Sequence, residues 1–259
     1  EECMLLANQL CAELLLENKT HSLYRVHPRP TEDKLQALRT LLGHYHINIP
    51  EGPLETKDLQ KIIQYARNNQ AGAALQNAVL GALSQAYYTP DNSGHFGLGY
   101  THYTHFTSPI RRYPDLVVHR LIKAQIANNA NQYTRPVLQR IARHCSATER
   151  RAEEASRYVM AWLKCEFMVS RIGQTFTGRI VSVRSFGVFV MLDSYAVEGL
   201  ISIRDLGSEY YEYDDAAQTL TSRRGSEKLQ VGQVITIRVA RVDSFLRQID
   251  FHRTCSSSK

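Results

Sequence analysis

The hydrophobic period of this chain changes once, at Gly173, and that change limits what the chain can fold into. Upstream, apolar residues recur at helical spacing. Residues 1–20 set Met4, Leu5, Ala7, Leu10, Cys11, Leu14 and Leu15 along one helix, with Glu1 and Glu2 in its first turn. From Pro136 to Val169, apolar residues at 138, 141, 145, 152, 155, 159 and 162, with Thr148 in register, form one sustained stripe. At 1.5 Å per residue that predicts a rod of about 50 Å. Downstream of Gly173, "GQTFTGRIVSVRSFGVFVML", "VEGLISI" and "GQVITIRVARVDSFLRQIDFH" alternate apolar with polar residues and are rich in Val, Ile and Phe. The chain therefore reads as α+β: a mainly helical part over residues 1–171, then a domain of short strands over 172–255. The strands fit a five-stranded OB barrel or a small β-domain of no particular class. The Gly-kinked "FGVFV" points to the barrel.

Shorter helices fill the first part. Thr31 is a natural N-cap after Pro28 and Pro30, with Gly43 as the stop. Leu59, Ile62, Ile63 and Ala66 share a face of a second helix, and "AGAALQNAVLGALSQAYY" reads as a third, leading to a "TPDNSG" turn. The chain is 43% hydrophobic and 22% charged, which places it among globular proteins and excludes intrinsic disorder. A net charge of +6 favours a polyanionic partner. No apolar run approaches the roughly 20 residues that span a membrane as a helix, and no signal peptide is visible. The five cysteines, at 3, 11, 145, 165 and 255, are odd in number and form no CxxC pair. They read as reduced thiols of an intracellular, cytoplasmic protein. The opening "EECMLLAN" lacks an initiator methionine and starts inside a helix, which predicts a piece of something longer.

Chemistry concentrates in "SGHFGLGYTHYTHFTSPIRRYPDLVVHR", residues 93–120. Ser108 and Pro109 form an N-cap and first-position pair. Pro114 should push Tyr113 out of the α region and restart a helix. Arg111 and Arg112 would then lie on a kinked turn between two helix starts, where guanidinium forks suit phosphate oxygens. The other reading is a solvated pair that neutralises Asp115. "GHFGLG" reads as a strand open to close backbone approach, and its spacing is not a dinucleotide fingerprint. His102-x-x-His105 and His44-x-His46 are conceivable metal pairs, but no matching cluster frames either, so they read as satisfied or surface histidines. Glu153 and Glu154, beside Arg150 and Arg151, read as ion pairs on a wet helix face.

This block, with "EECMLLAN" upstream and "CSATERRAEEASRYVMAWLKCEFM" downstream, resembles the C-terminal half of the catalytic RNB domain of the ribonuclease II exoribonuclease family. The tail resembles the S1 RNA-binding domain that follows it there. The resemblance implies a processive 3′-to-5′ exoribonuclease that threads single-stranded RNA, or structured RNA with a 3′ overhang, and releases nucleoside 5′-monophosphates. It also implies magnesium ions held by aspartates, no membrane partner and a monomer. Carried over, Arg111 and Arg112 would clamp the scissile phosphate, and Glu2 or Glu1 would approach the terminal ribose, Glu2 by preference. His105, Thr107, Ser108 and Tyr113 would line the closed end of the RNA tunnel. Glu153 or Glu154 would stand in a supporting layer behind them. In the S1-like part, Phe186 and Phe189 match stacking aromatics and Arg247 a basic surface position, while Ile201-Ser202-Ile203 stands where a histidine is usual. The family's D-x5-D-x-D-D pattern is not found in this sequence. The expectation is a chain with the clamp but no metal ligands, inactive alone. The alternative is a free-standing RNA-binding or regulatory protein.

Overall fold

Helix α1 (Glu2–Glu17) opens the structure, a computed structural model that describes residues 1–44, 47, 52–67, 72–130, 132–207, 209–215, 217–224 and 227–254. Its buried residues are Asn8, Ala12 and Leu15, so the buried stripe shares Leu15 with the apolar set but centres on Asn8 and Ala12. Met4, Leu10 and Leu14 face solvent. Strand β1 (Tyr24–Val26) pairs antiparallel with β2 (Tyr87–Thr89), Arg25 opposite Tyr88. Between them run α2 (Glu32–His44), one residue past Gly43, then α3 (Thr56–Arg67) and α4 (Gly72–Ala82). The third helix therefore ends before the "AYY" expected within it. Tyr87, Tyr88 and Thr89 have strand propensity and a partner in β1, and pairing wins. His46 of the His44-x-His46 pair lies outside the described residues.

Helix α5 (Tyr113–Ile126) follows, then α6 (Arg135–Val169), whose 35 residues make a helix roughly 50 Å long. Leu15, Leu23, Tyr88, Val117, Val118, Leu121, Leu138 and Ala142 form the core of one compact unit, which comprises Glu1–Lys34, Gly52–Lys57 and Ala82–Glu154. The rest of the described residues form a second unit.

In that second unit, the chain beyond Gly173 forms β3 (Thr175–Arg184), β4 (Gly187–Leu192), β5 (Glu198–Ser202), β6 (Tyr211–Asp214), β7 (Thr219–Ser222), β8 (Lys228–Leu229), β9 (Val234–Asp243) and β10 (Gln248–Arg253). Five of these close into a barrel in the order β10-β5-β4-β3-β9, so the OB reading holds over the unclassified one. Alternate side chains point inward. Ile180, Val183, Val188, Val190, Ile201, Ile237 and Phe251 fill the interior, and Cys165 and Met168 of α6 pack against them. Strands β6, β7 and β8 make a separate three-stranded sheet that the sequence pattern did not distinguish. Tyr211 of β6 donates its hydroxyl to Glu227 at 2.8 Å, and Arg253 of β10 grips the same carboxylate at 2.7 and 2.5 Å. Arg253 holds that carboxyl below its ordinary pKa.

Gly199 of β5 leaves room for the ring of Phe251, since a β-carbon there would sit 2.5 Å from it. Gly199→Ala overpacks the barrel and is expected to cost about 1–3 kcal/mol, measured as a lower urea midpoint for loss of the β-sheet signal.

Candidate functional site

Three side chains fix the backbone at residues 106–108. Asn8, 4% exposed, accepts the N–H groups of Phe106 at 2.9 Å and Thr107 at 3.2 Å on its carbonyl oxygen. Its amide nitrogen donates to the Tyr103 hydroxyl at 2.9 Å. His119 of α5 stacks on the Phe106 ring, centroids 4.0 Å apart, and its Nε2 lies 2.9 Å from the Phe106 carbonyl oxygen. Asp115, fully buried in the first turn of α5, accepts the Ser108 N–H at 2.8 Å and Arg112 Nη2 at 2.7 Å.

The segment Ser108–Arg111 is a single turn, with the N–H groups of Arg111 and Arg112 both directed at the Ser108 carbonyl. Pro109 opens no helix, because Asp115 ties Ser108 back to α5 before a second turn can form. Arg112 is the extended residue (φ −127°, ψ 117°) and the N-cap, while Tyr113 is already helical. The kink thus falls one residue earlier than Pro114 implied. Pro114 occupies an early helical position whose N–H has no intrahelical partner to lose.

The two readings of the arginine pair divide between its members. Arg112 pairs with Asp115 and is 23% exposed at its side chain, as the neutralising reading requires. Arg111 is exposed at the tip of the turn beside Ile110, which is fully exposed. Both arginines act on His105, whose Nδ1 lies 2.8 Å from the Tyr88 hydroxyl. Burial, then the charges of Arg112, Arg25 and Arg111, drive the His105 pKa down to about 3, so the ring is neutral. Burial likewise pushes Tyr88 up to about 12. Arg25 stacks over Tyr88 at 4.7 Å and grips Glu149 through two hydrogen bonds of 2.6 and 3.1 Å. The result is a cationic cluster, Arg25, Arg111 and Arg112, around a neutral ring. Such a cluster can take a phosphate but has no nucleophile of its own.

Thr107 and Ser108 are partly buried on this turn, and Tyr113 is 46% exposed at its end. Glu1 and Glu2 are exposed at the start of α1, and among the described residues no hydrogen bond or ion pair joins them to residues 105–113. Glu153 and Glu154 are exposed on α6. "GHFGLG" is not a strand. Phe96–Leu98 form one 3-10 turn between Gly94 and Gly99, both at positive φ (81° and 72°), which reverses the chain. His102 Nδ1 lies 3.0 Å from the Thr101 hydroxyl. Among the described residues no group of three or more His, Cys, Asp or Glu could hold a metal ion, so the side chains present do not fit one.

In the barrel, Phe186 is 52% exposed and Phe189 partly buried, their rings edge-on at 6.0 Å. Arg247 sits 4.0 Å above the Tyr158 ring of α6, a cation–π contact. Sequence reasoning missed Asn8, Tyr88, and Arg25 with Glu149. The signal for Asn8 was present: an amide at helical spacing from Ala12 and Leu15 must satisfy its polar atoms inside.

The RNB domain profile matches residues 1–128, and the S1 RNA binding domain profile matches residues 170–253. Ribonuclease R of Escherichia coli (strain K12) is 36% identical, over 97% of this chain and 32% of that protein. Ribonuclease R of Vibrio cholerae is 38% identical, over 100% of this chain and 33% of its own length. The chain thus spans about a third of these relatives. Among solved structures, Mycoplasma genitalium RNase R in complex with ribose-methylated single-stranded RNA superposes with a TM-score of 0.87 at 28% identity, over 97% of this chain and 40% of that one.

Removing Asp115 leaves Arg112 without its counter-charge. Asp115→Ala is expected to lower stability by about 3–5 kcal/mol, and Asp115→Ala with Arg112→Ala to cost less than the sum of the single losses; urea denaturation of all three variants checks this. A separate expectation concerns pH. His105 and His95, at about 3 and about 4, bind protons more readily unfolded (6.5) than folded. Their contribution is therefore complete above pH 6.5 and is lost as pH falls toward 4. Melting temperature should fall over that window, with a shallower slope in His105→Gln.

Proposed function

Because this chain belongs to the RNB family of ribonucleases, we propose that it forms the RNA-gripping part of a 3′-to-5′ exoribonuclease that releases nucleoside 5′-monophosphates. The observation that carries this reading is the 108–115 turn, which holds Arg112 against buried Asp115 and leaves Arg111 exposed. A guanidinium offered on a rigid turn meets a phosphate with a planar fork, and little further ordering is needed. Arg111 makes the phosphate contact in this reading, and Arg112 shapes the turn and adds charge behind it. His105 stays neutral near neutral pH and offers a ring nitrogen without competing for the phosphate charge.

The barrel supplies a second grip, in which Phe186 and Phe189 stack bases and the exposed basic strands follow the backbone. In this reading the magnesium ions of such a reaction are held outside the described residues, among which no group of three or more His, Cys, Asp or Glu could hold one. The chain by itself is then an RNA-binding body that does not release mononucleotides.

Single-stranded RNA titrated into the full chain at several salt concentrations tests both parts. The dissociation constant should rise steeply with salt, and Arg111→Ala should weaken binding and reduce the log–log salt slope by about one. Phe189→Ala should cost about 1–3 kcal/mol if its ring stacks a base. An Arg111→Ala variant with wild-type affinity and slope would refute the phosphate contact. Labelled mononucleotide released by the chain above a buffer blank would overturn the proposal that metal ligands lie elsewhere.

A further inference from the structure

The first unit contains a cleft that the arginine turn does not use. It has a volume of about 510 Å³ and is lined by His27 and Arg29 after β1, by Glu55, Thr56 and Lys57, and by the 93–101 turn. That volume lies within the roughly 300–1,000 Å³ typical of small-ligand sites.

The cleft walls are built from buried groups whose hydrogen bonds are assigned. His27 is 8% exposed. The Gly97 N–H donates to its Nδ1 at 2.7 Å, so the ring proton is on Nε2, which donates to the Ser84 carbonyl at 2.5 Å. His27 is therefore fully engaged as a wall and is no metal ligand. Gly97 is required by the same contact, since a β-carbon there would lie 2.9 Å from His27 Nδ1. Thr56 donates to the Phe96 carbonyl at 2.9 Å and fastens the 55–57 segment to the turn. His95 accepts the Leu98 N–H on its Nδ1 and is held neutral by burial and by the neighbouring His27 and Arg25. The rim carries Arg29 and Lys57 against one acid, Glu55.

Ring contacts link this cleft to the arginine site. Phe96, His27, His95 and Tyr103 follow one another at centroid distances of 6.2, 5.1 and 5.3 Å. Tyr103 then contacts Tyr100 on the cleft side and His105 on the other, each at 5.7 Å. The cleft and the arginine turn thus lie on either side of Tyr103.

We propose that this cleft is a second site for a nucleoside phosphate, with Arg29 and Lys57 taking the phosphate and the Tyr100 side taking the base. Cations and aromatic rings around one small cleft fit an anion joined to a flat ring. The choice of a nucleotide over other such anions rests on the RNA reading above. The ligand is either a free mononucleotide or one nucleotide of a bound strand.

Isothermal titration of the full chain with adenosine 5′-monophosphate tests this, with inorganic phosphate, adenosine and a short single-stranded RNA as parallel arms. Arg29→Ala and Lys57→Ala, both surface changes, should each weaken the mononucleotide about tenfold, and Tyr100→Ala about fivefold or more. Arg120→Ala, an equal loss of charge elsewhere on the same unit, should leave binding unchanged. RNA that displaces the mononucleotide identifies a strand subsite; independent binding identifies a free-nucleotide site. No binding at millimolar mononucleotide, or phosphate alone binding as tightly, would overturn the proposal. Binding lost in Arg111→Ala but kept in Arg29→Ala would place the ligand at the arginine turn, ending this proposal while leaving the RNA reading intact.

Discussion

A carboxylate with no solvent exposure imposes the geometry of the candidate site. Asp115 stands in the first turn of α5, where the helix dipole favours negative charge, but burial of an ion still demands close partners. It finds them in the chain just before it, at Ser108 N–H and Arg112. Those two bonds draw Ser108 and Arg112 toward the helix. Ile110 and Arg111, caught between them, have nowhere to go but outward. The exposure of Arg111 is therefore a by-product of the burial of Asp115. A phosphate-seeking side chain needs no ordering of its own when the turn beneath it is already closed.

The charges around this turn are balanced unevenly. Glu149 answers Arg25, Asp115 answers Arg112, and His105 contributes nothing because burial and its cationic neighbours keep it neutral. What remains is the charge of Arg111, which is exposed to solvent.

Residue patterns revealed the architecture better than the contacts. The change of period at Gly173 coincides with the end of α6 and the start of β3, and the FGVFV kink was a fair sign of the barrel, because both depend on local periodicity. The "RRYPD" segment could be singled out, but not which arginine faces outward, since that depends on a carboxylate three residues further on being buried. "GHFGLG" was misread because alternation is ambiguous over six residues, and the positive φ values of Gly94 and Gly99 decide the matter in three dimensions. On α1, hydrophobicity marked Cys11 and Leu15 of the buried side together with residues that face solvent. Leu10 and Leu14 stand in solvent, while the buried stripe with Leu15 carries Asn8, whose partners are supplied by a segment that no local pattern connects to it.

That distant supply has a consequence in time. Asn8 is separated from Phe106 by 98 positions and from Thr107 by 99. At ribosomal speeds of about 5–20 residues per second, α1 emerges roughly 5–20 s before the backbone it must hold. Until then its amide has only water for company. Once both are made, closing so long a loop is entropically slow, and the turn at 106–108 cannot settle before α1 has docked. The cationic site is thus assembled together with the core rather than ahead of it, and its arginines are added only after α1 has waited those seconds for the backbone it holds.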